Sequence, residues 1–387
     1  MTTIVLAMRK LGVNAVQVIN RKELLHRPES RNPSFVEKYP DWLKDFSDLP
    51  EEKYIAGGYG IDEVINFLTH DVDAMVLNGV GPSLAQYCDL PYLSVLSGSD
   101  ASYYANWAMV EHQTSLFERA YRKSKGYLYY RSILTEFIQR QREGIRNSVA
   151  VHTAPVGSVA SIDEVLTDIG VSQQNRIELY MTNVEFGKVS NKGKANNKKF
   201  RILNGARLCW KRPLPTGVSD QDNKRTDLLL KAFKIFLERG ACAELVLIRK
   251  GVHIRETEGL VELLGLSDDV IWMDEMDMST FHTCIQSADV VCDQFGNTTP
   301  GLVAIDAMGF GVPVVANFNL PVFKRLYPGV NFFCHAETPE QIAEQFSRLF
   351  ESKSERERIS FQSTEFVKHY CTTEAVAQVY LQRLGLG

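Results

Sequence analysis

The chain has 387 residues, of which 44% are hydrophobic and 23% are charged, as expected for a globular protein with two domains of ordinary size. Its formal net charge of −4 argues against a nucleic-acid partner. The 7 cysteines are scattered without a C-x-x-C pair, which predicts reduced thiols in a cytoplasmic protein rather than a disulfide or zinc framework. No apolar run is long enough and free enough of charge to span a bilayer, and peripheral contact with a membrane is left open.

The first half of the sequence alternates between helical and strand-like segments. Thr3–Leu11 has helical spacing and comes before the strand Ala15–Ile19, whereas a doubly wound domain usually opens with a strand. We expect either that the numbering begins late in the natural protein or that this first strand is missing. Trp42–Phe46 is helix-like, and Gly57–Gly60 follows no strong strand, which favours a plain turn over a phosphate loop. The later segments are predicted helices over 61–69, 82–87, 133–142 and 162–169 and predicted strands over 74–77, 92–96, 148–152 and 177–181. This alternation predicts a parallel sheet with helices on both faces.

A polar, lysine-rich stretch, Val189–Lys199, is the clearest break in composition and predicts a linker. It separates a first domain over 1–190 from a second domain over 191–370, and a last helix follows over 371–387. The second domain has predicted strands over 200–204, 245–248 and 270–272 and predicted helices over 226–239, 256–264, 339–350 and 354–370. We therefore expect two similar α/β domains.

The stretch 288–316 predicts a strand–helix–strand unit. Its parts are a strand at Asp289–Asp293, a polar loop at Gln294–Thr299, a helix at Pro300–Met308 and a strand at Val312–Ala316. In such a unit a ligand binds in the loop at the carboxyl end of the first strand. The alternative is an ordinary buried crossover with no ligand.

The start of this helix has the features of an anion site. Thr299 and Pro300 fit the cap and first-turn positions. The free N–H groups of Gly301, Leu302 and Val303 would then point outward, with the positive end of the helix dipole behind them. Such a terminus suits a phosphate or a pyrophosphate.

Two cations come from other segments of the second domain. Arg207 follows the strand Phe200–Asn204, and Lys224 comes before a helix. Both are expected at the mouth of the sheet, where they could clamp a diphosphate electrostatically. For each cation alone, a solvated surface charge is the alternative.

Several motifs together resemble those of the family four retaining glycosyltransferases. The run Thr298–Val315 is similar to the family signature. That signature has two glutamates with seven residues between them, and the second glutamate is followed by Ala-Met-Ala-x-Gly-x-Pro-Val-Val. The other similar segments are Gly205–Leu208, Lys224–Phe233, Leu264–Trp272 and, where many members carry His-Gly-Ser-Asp, Ser97–Asp100. The ordered matches cover most of residues 200–316 and, more thinly, residues 60–186.

The resemblance implies the GT-B fold, in which two Rossmann-like domains face each other across a cleft and a C-terminal helix packs back on the first domain. It also implies transfer of a hexose, with retention of configuration, from a nucleoside-diphosphate sugar to a saccharide or lipid-linked acceptor in polysaccharide biosynthesis. A UDP-sugar is the expected donor substrate, and no cofactor or metal is obligatory.

The resemblance also assigns roles to individual residues. Those toward the donor are Arg207 and Lys224 on the diphosphate, Thr299, Gly301, Leu302 and Val303 at the helix start, Asp306 on the ribose hydroxyls, and Trp272, Met273 and Asp274 along the base. Ser97 and Asp100 would approach the sugar and the acceptor, and Thr298 takes the position of the first glutamate.

Four positions depart from the family pattern. Thr298 has no carboxylate, Asp306 has a shorter reach than glutamate, Ser97 stands in place of a histidine, and Arg225 replaces a glycine. A catalytically weak nucleotide-binding subunit that partners another glycosyltransferase is therefore an alternative of a different class. A nucleotide-sugar epimerase of the same fold is a third, although the run 298–315 argues against it.

Three further features have simpler interpretations. The basic, aromatic segment Arg119–Arg131 could lie on an anionic membrane, or it is a solvated helix. The acidic run Asp268–Asp277 could bind a cation, but a solvated loop is favoured. The histidines have no metal-ligand spacing.

Overall fold

The computed structural model describes residues 1–20, 27–30, 33–57, 60–115, 119–186, 199–212 and 223–387. The predicted linker lies outside these residues except for Lys199, and so do Gly58 and Tyr59 of the glycine-rich stretch. The chain divides into two compact units, one formed by Met1–Leu179 with Glu374–Gly387 and the other by Tyr180–Thr373. None of the helices in the described parts of the chain combines the length and the apolar character that a bilayer crossing demands.

The first unit is an α/β unit with two parallel sheets, β1–β2 and β3–β4–β5–β6. Its strands are β1 (Gln17–Ile19), β2 (Leu43–Asp45), β3 (Met75–Asn78), β4 (Tyr92–Val95), β5 (Ala150–His152) and β6 (Arg176–Ile177). Its helices are α1 (Thr2–Lys10), α2 (Glu51–Ala56), α3 (Asp62–Thr69), α4 (Ser99–Ser102), α5 (Ala108–Ser115), α6 (Lys125–Asn147), α7 (Ala160–Ile169) and α15 (Thr373–Leu384), which begins at the crossing from the second unit.

One local prediction in this unit is wrong, and a second is refined by the structure. Trp42–Phe46 is not helical, because Leu43–Asp45 pairs with β1 and buries Leu43. The segment predicted as a helix over 82–87 is a 3-10 helix, Gly81–Tyr87. It lies so close to α6 that a Cβ on Gly144 would stand 1.9 Å from the carbonyl oxygen of Pro82. The tight contact requires glycine at position 144.

The last helix is anchored in the first unit through β5. Tyr380 on α15 is fully buried, and its hydroxyl bonds to Nδ1 of His152. The other ring nitrogen of His152, Nε2, lies 2.8 Å from the carbonyl oxygen of Leu179. Burial lowers the pKa of His152, so the neutral ring donates to Leu179 and accepts from Tyr380.

The second unit contains one six-stranded, fully parallel sheet. Its strands are β7 (Phe200–Asn204), β8 (Ala243–Arg249), β9 (Val270–Asp274), β10 (Val290–Cys292), β11 (Val314–Ala316) and β12 (Cys334–His335). Its helices are α8 (Thr226–Glu238), α9 (Ile254–Leu264), α10 (Met278–Ser287), α11 (Leu302–Gly309), α12 (Leu320–Leu326), α13 (Pro339–Glu351) and α14 (Lys353–Tyr370). The predicted α/β class with parallel sheets is confirmed.

The strand order of this sheet, β12–β11–β10–β7–β8–β9, reverses direction between β7 and β10. From β7 the chain adds β8 and β9 on one side, and it then returns to place β10, β11 and β12 on the other. In parallel sheets, ligands bind outside the carboxyl ends of the strands at such a reversal. A ligand site is therefore expected among the residues that follow β7 and β10.

Candidate functional site

The carboxyl ends of β7 and β10 lie side by side, with Asn204 paired to Cys292. The pairing continues one residue further, because the N–H of Gly205 donates to the carbonyl oxygen of Cys292 over 3.2 Å. Two loops therefore leave the sheet together at the reversal point. One carries Arg207, and the other leads to α11.

Gly205 sets the distance between these loops. A Cβ at this position would lie 2.3 Å from Cγ1 of Val303 and 3.1 Å from the ring of Phe281. Val303 in the first turn of α11 and Phe281 on α10 thus lie directly against the backbone of Gly205. No other residue would let the start of α11 come so close to the end of β7.

The segment around Lys224 joins the same place. The N–H of Lys224 donates to the carbonyl oxygen of Cys209 over 2.6 Å, and the N–H of Phe295 donates to the carbonyl oxygen of Lys224 over 3.1 Å. The Lys224 ammonium group donates to Oε1 of Gln294 at 2.6 Å. The three segments that the sequence places at the mouth of this sheet therefore meet in the structure.

Cys209 and Lys224 are hydrogen-bonded at this junction. Arg207 lies two residues before Cys209, and Arg225 directly follows Lys224. Arg207 is exposed between the buried residues Ala206 and Leu208. Arg225 has left-handed backbone angles (φ 53°, ψ 43°), a conformation that favours glycine, which the resembling family carries here. Its guanidinium group forms two hydrogen bonds with Asp227, at 2.9 and 3.1 Å, which hold the side chain over α8.

The predicted cap of α11 is wrong. The helix begins at Leu302 with Gly301 as its N-cap, and no side chain caps it from position 299. The carbonyl oxygen of Thr299 instead accepts a hydrogen bond from the Gln294 amide. The N–H of Gly301 donates to Oδ2 of Asp293, so it does not point outward as predicted. The N–H groups of Leu302 and Val303 stand in the first helical turn, where no earlier helical carbonyl can accept them.

Asp293 and Gln294, which belong to none of the predicted site residues, organise this loop. Both are buried directly after β10. Asp293 accepts from Gly301, while Gln294 bridges Lys224 and Thr299. Burial raises the pKa of the Asp293 carboxyl, and the Gly301 hydrogen bond and the charge of Lys224 oppose this rise. Two polar residues directly after a β-branched strand were the available sequence signal.

Asp306 is placed differently from its predicted role. Its side chain is 2% exposed, and its oxygens accept from the Thr182 hydroxyl (2.7 Å), from the Asn183 N–H (2.7 Å) and from the Asn183 amide (3.1 Å). The His282 ring lies 3.3 Å away. These four groups, from three residues, surround the carboxylate in this structure, and the predicted role of Asp306 toward the ribose hydroxyls stays a prediction. Asp306 instead ties the segment at 182–183 to α11.

The remaining donor-side candidates lie around the same edge of the sheet. Thr298 is held by Asn319, whose N–H donates to its carbonyl oxygen over 2.8 Å. Trp272, Met273 and Asp274 end β9, the edge strand. The Arg249 guanidinium group lies 5.1 Å from the centre of the Trp272 ring, close enough for a cation–π contact.

Ser97 and Asp100 belong to the first unit, at the carboxyl end of β4. Oδ2 of Asp100 accepts from both the N–H and the hydroxyl of Ser97 at 3.0 Å. Asp100 is buried, so its carboxylate fixes the turn that presents Ser97.

Several other polar side chains bond to neighbouring protein groups. Among the described residues, no group of three or more His, Cys, Asp or Glu side chains is arranged to hold a metal ion. In the acidic run, Asp269 pairs with Lys199 at 2.7 Å, Glu275 pairs with Lys250 at 2.6 Å, and Asp277 caps α10. These carboxylates are engaged by protein groups.

Gly205→Ala should displace the first turn of α11, because the added methyl group would overlap Val303. We expect a loss of about 1–3 kcal/mol of unfolding free energy in denaturant titrations. Gly259→Ala is the matched control: it lies in α9, and a Cβ there meets nothing within 4 Å. This control should be neutral or gain about 0.5–1 kcal/mol. Equal effects of the two substitutions would contradict the close approach at Gly205.

Comparison with known proteins gives a family for part of the chain and a fold for most of it. Residues 219–366 match the family described as Glycosyl transferases group 1. No curated protein sequence matches the chain significantly. Among similar solved structures is HepE from Anabaena in complex with UDP and glucose, with 16% identity, a TM-score of 0.57, and coverage of 89% of this chain and 86% of HepE.

Two further structures are similar. WaaG, a glycosyltransferase involved in lipopolysaccharide biosynthesis, has 11% identity and a TM-score of 0.53, with 98% of this chain and 94% of WaaG covered. A TarM variant from S. aureus, solved with fondaparinux, alpha-GlcNAc-glycerol and UDP, has 14% identity and a TM-score of 0.52. That match covers 80% of this chain, which spans only 55% of the length of TarM. The chain thus has the GT-B fold, and its residues 219–366 match the group 1 glycosyl transferase family.

Proposed function

We propose that this chain is a retaining glycosyltransferase that moves a hexose from a UDP-sugar to a saccharide or lipid-linked acceptor in polysaccharide biosynthesis, in the cytoplasm. The observation that carries the proposal is that the loop after β10 joins Lys224, through Gln294, to the start of α11, through Asp293, inside the matched domain. The UDP found in the HepE and TarM structures supports the choice of UDP over other nucleotides.

The chemistry requires stabilisation of a departing diphosphate more than a protein nucleophile. In our proposal the N–H groups of Leu302 and Val303 bind one phosphate at the positive end of α11. Lys224 and Arg207 add positive charge on the open side. The leaving phosphate takes the proton of the acceptor on the same face of the sugar, so catalysis is mainly orientation and electrostatic stabilisation. No metal is required for these steps.

The remaining candidates take supporting roles in the proposal. Trp272, Met273 and Asp274 border the base, and Thr298 and Thr299 line the loop before α11. Ser97 and Asp100 approach the sugar and the acceptor. Asp306 would have to exchange some of its contacts with Thr182, Asn183 and His282 for the ribose hydroxyls to take the role that the resemblance assigns to it.

UDP should raise the thermal stability of the protein, because a ligand that binds only the folded state adds about 2.7 kcal/mol at a concentration of 100 Kd. Arg207→Ala and Lys224→Ala should abolish the shift, measured by differential scanning fluorimetry. Lys224→Ala also removes the hydrogen bond to Gln294. Lys231→Ala, an exposed lysine on α8, should keep the full shift. No shift with any nucleotide would count against the proposal.

A catalytically weak binding subunit is the second candidate, favoured by Thr298 in place of a carboxylate and by the filled state of Asp306. NMR of one sample with UDP-glucose, extended to other UDP-sugars, separates the candidates. A transferase should hydrolyse a donor slowly and release the sugar first with its original anomeric configuration. A binding subunit should leave every donor intact, and an epimerase should yield an epimerised nucleotide-sugar.

Peripheral contact with an anionic membrane is part of the proposal. Tyr121, Leu128 and Tyr129 are 60%, 56% and 71% exposed around the start of α6, and the exposed cations Lys123 and Lys125 lie among them. Exposed aromatic residues next to cations suit a negatively charged lipid surface, at about 1 kcal/mol for each cation.

The protein should therefore sediment at low salt with liposomes that contain phosphatidylglycerol but not with pure phosphatidylcholine. Replacing Lys123 and Lys125 by glutamate should weaken the sedimentation severalfold, because both changes reverse a charge at the surface. The same double change at Lys231 and Lys234 on α8 is the control. Failure of the unmodified protein to sediment would remove this part of the proposal.

A further inference from the structure

We propose that the Asp293 carboxylate competes with the donor diphosphate for the start of α11, so that donor binding is coupled to the uptake of one proton by Asp293. The inference rests on the proposed function, because it needs a diphosphate at this helix. Under this proposal, Asp293 makes the affinity for the donor depend on pH. The step is a simple protonation of the carboxylate by solvent, and no bond of the donor changes.

The geometry places an internal anion where the external one is expected. Asp293 follows β10, is 5% exposed and accepts the N–H of Gly301, the N-cap of α11. A Cβ on Gly301 would lie 2.9 Å from Oδ2 and 3.3 Å from Oδ1, so both carboxylate oxygens face the glycine. The negative charge of Asp293 thus already interacts with the positive end of the helix dipole.

The charged and titratable groups around Asp293 come from several elements. Lys224 is the cation that acts on it, from the segment before α8, and the buried thiol of Cys292 stands beside it on β10. β11 contributes a main-chain carbonyl, that of Val315, which accepts the Asp293 N–H at 3.3 Å. The carboxylate of Asp306, on α11, is directed to Thr182 and Asn183.

A diphosphate at the N–H groups of Leu302 and Val303 would bring negative charge within one helical turn of Asp293. Like charges at this distance and at this degree of burial disfavour the ionised carboxylate. Burial alone already raises the pKa of Asp293, and a neighbouring diphosphate acts in the same direction. The protonated acid removes the repulsion, so the affinity for the donor should fall as the pH rises.

The test measures the affinity for UDP-glucose by isothermal titration calorimetry from about pH 6 to 8, where this diphosphate keeps a constant charge because it lacks the terminal phosphate group whose pKa is near 6. For the unmodified protein, Kd should increase with pH by up to about tenfold per pH unit, the limit for one linked proton. Asp293→Asn keeps an oxygen that can accept the Gly301 N–H but removes the charge. This variant should bind more tightly at the higher pH and show no such slope.

Asp268→Asn is the matched control, because it removes the same charge from an exposed residue just before β9, at the opposite end of the strands. It should keep the slope of the unmodified protein. A second readout does not depend on any variant folding: titrations of the unmodified protein in buffers with different ionisation enthalpies should report net proton uptake on binding.

Binding of UDP-glucose without proton uptake and with a flat pH profile would overturn this inference and leave the proposed function standing. A slope that is equal in the unmodified protein and in Asp293→Asn would also overturn it. If neither protein binds UDP-glucose at any pH, the inference falls together with the proposed function.

Discussion

The position of α11 depends on the absence of a side chain at residue 205. The helix start, the end of β7 and the ring of Phe281 meet at that glycine, closer than any Cβ would allow. Everything that makes this edge of the sheet a site follows from the contact. It brings the first helical turn to the reversal of strand order, where the Lys224 segment can reach the loop at 294–297. A parallel sheet provides the crevice, and the glycine allows a helix terminus to face it.

A second feature of this unit is that two buried carboxylates, Asp293 and Asp306, accept hydrogen bonds from protein groups around α11. Asp293 takes the N–H of Gly301, and Asp306 is filled by the segment at 182–183. The Asp306 contacts also join the start of the second unit to α11, so this aspartate acts as a structural tie. Buried carboxylates of this kind are stabilised only when donors surround them.

The sequence predicted the strands of the second unit well, because each is a compact apolar run bounded by polar residues. Phe200–Asn204, for example, forms β7 with the predicted ends. Interactions between distant segments could not be predicted in this way. The bond between Thr182 and Asp306 spans 124 residues, and no periodicity signals it. The predicted start of α11 lies two residues before the observed one. A Thr-Pro pair is a good local cap signal, but in the folded chain the carbonyl oxygen of Thr299 accepts from the Gln294 amide, and the helix begins later.

The anchoring of α15 has a consequence for how the chain is made. The second unit is an insertion within the first, since the chain enters it after Leu179 and leaves it before Glu374. Domains fold as units during synthesis, beginning from the N-terminus. On the ribosome, the residues of the inserted unit emerge in full before the segment that carries Tyr380. The first unit can therefore bury His152 beneath α15 only after the whole second unit has been synthesised, and until then α15 does not cover that surface of β5.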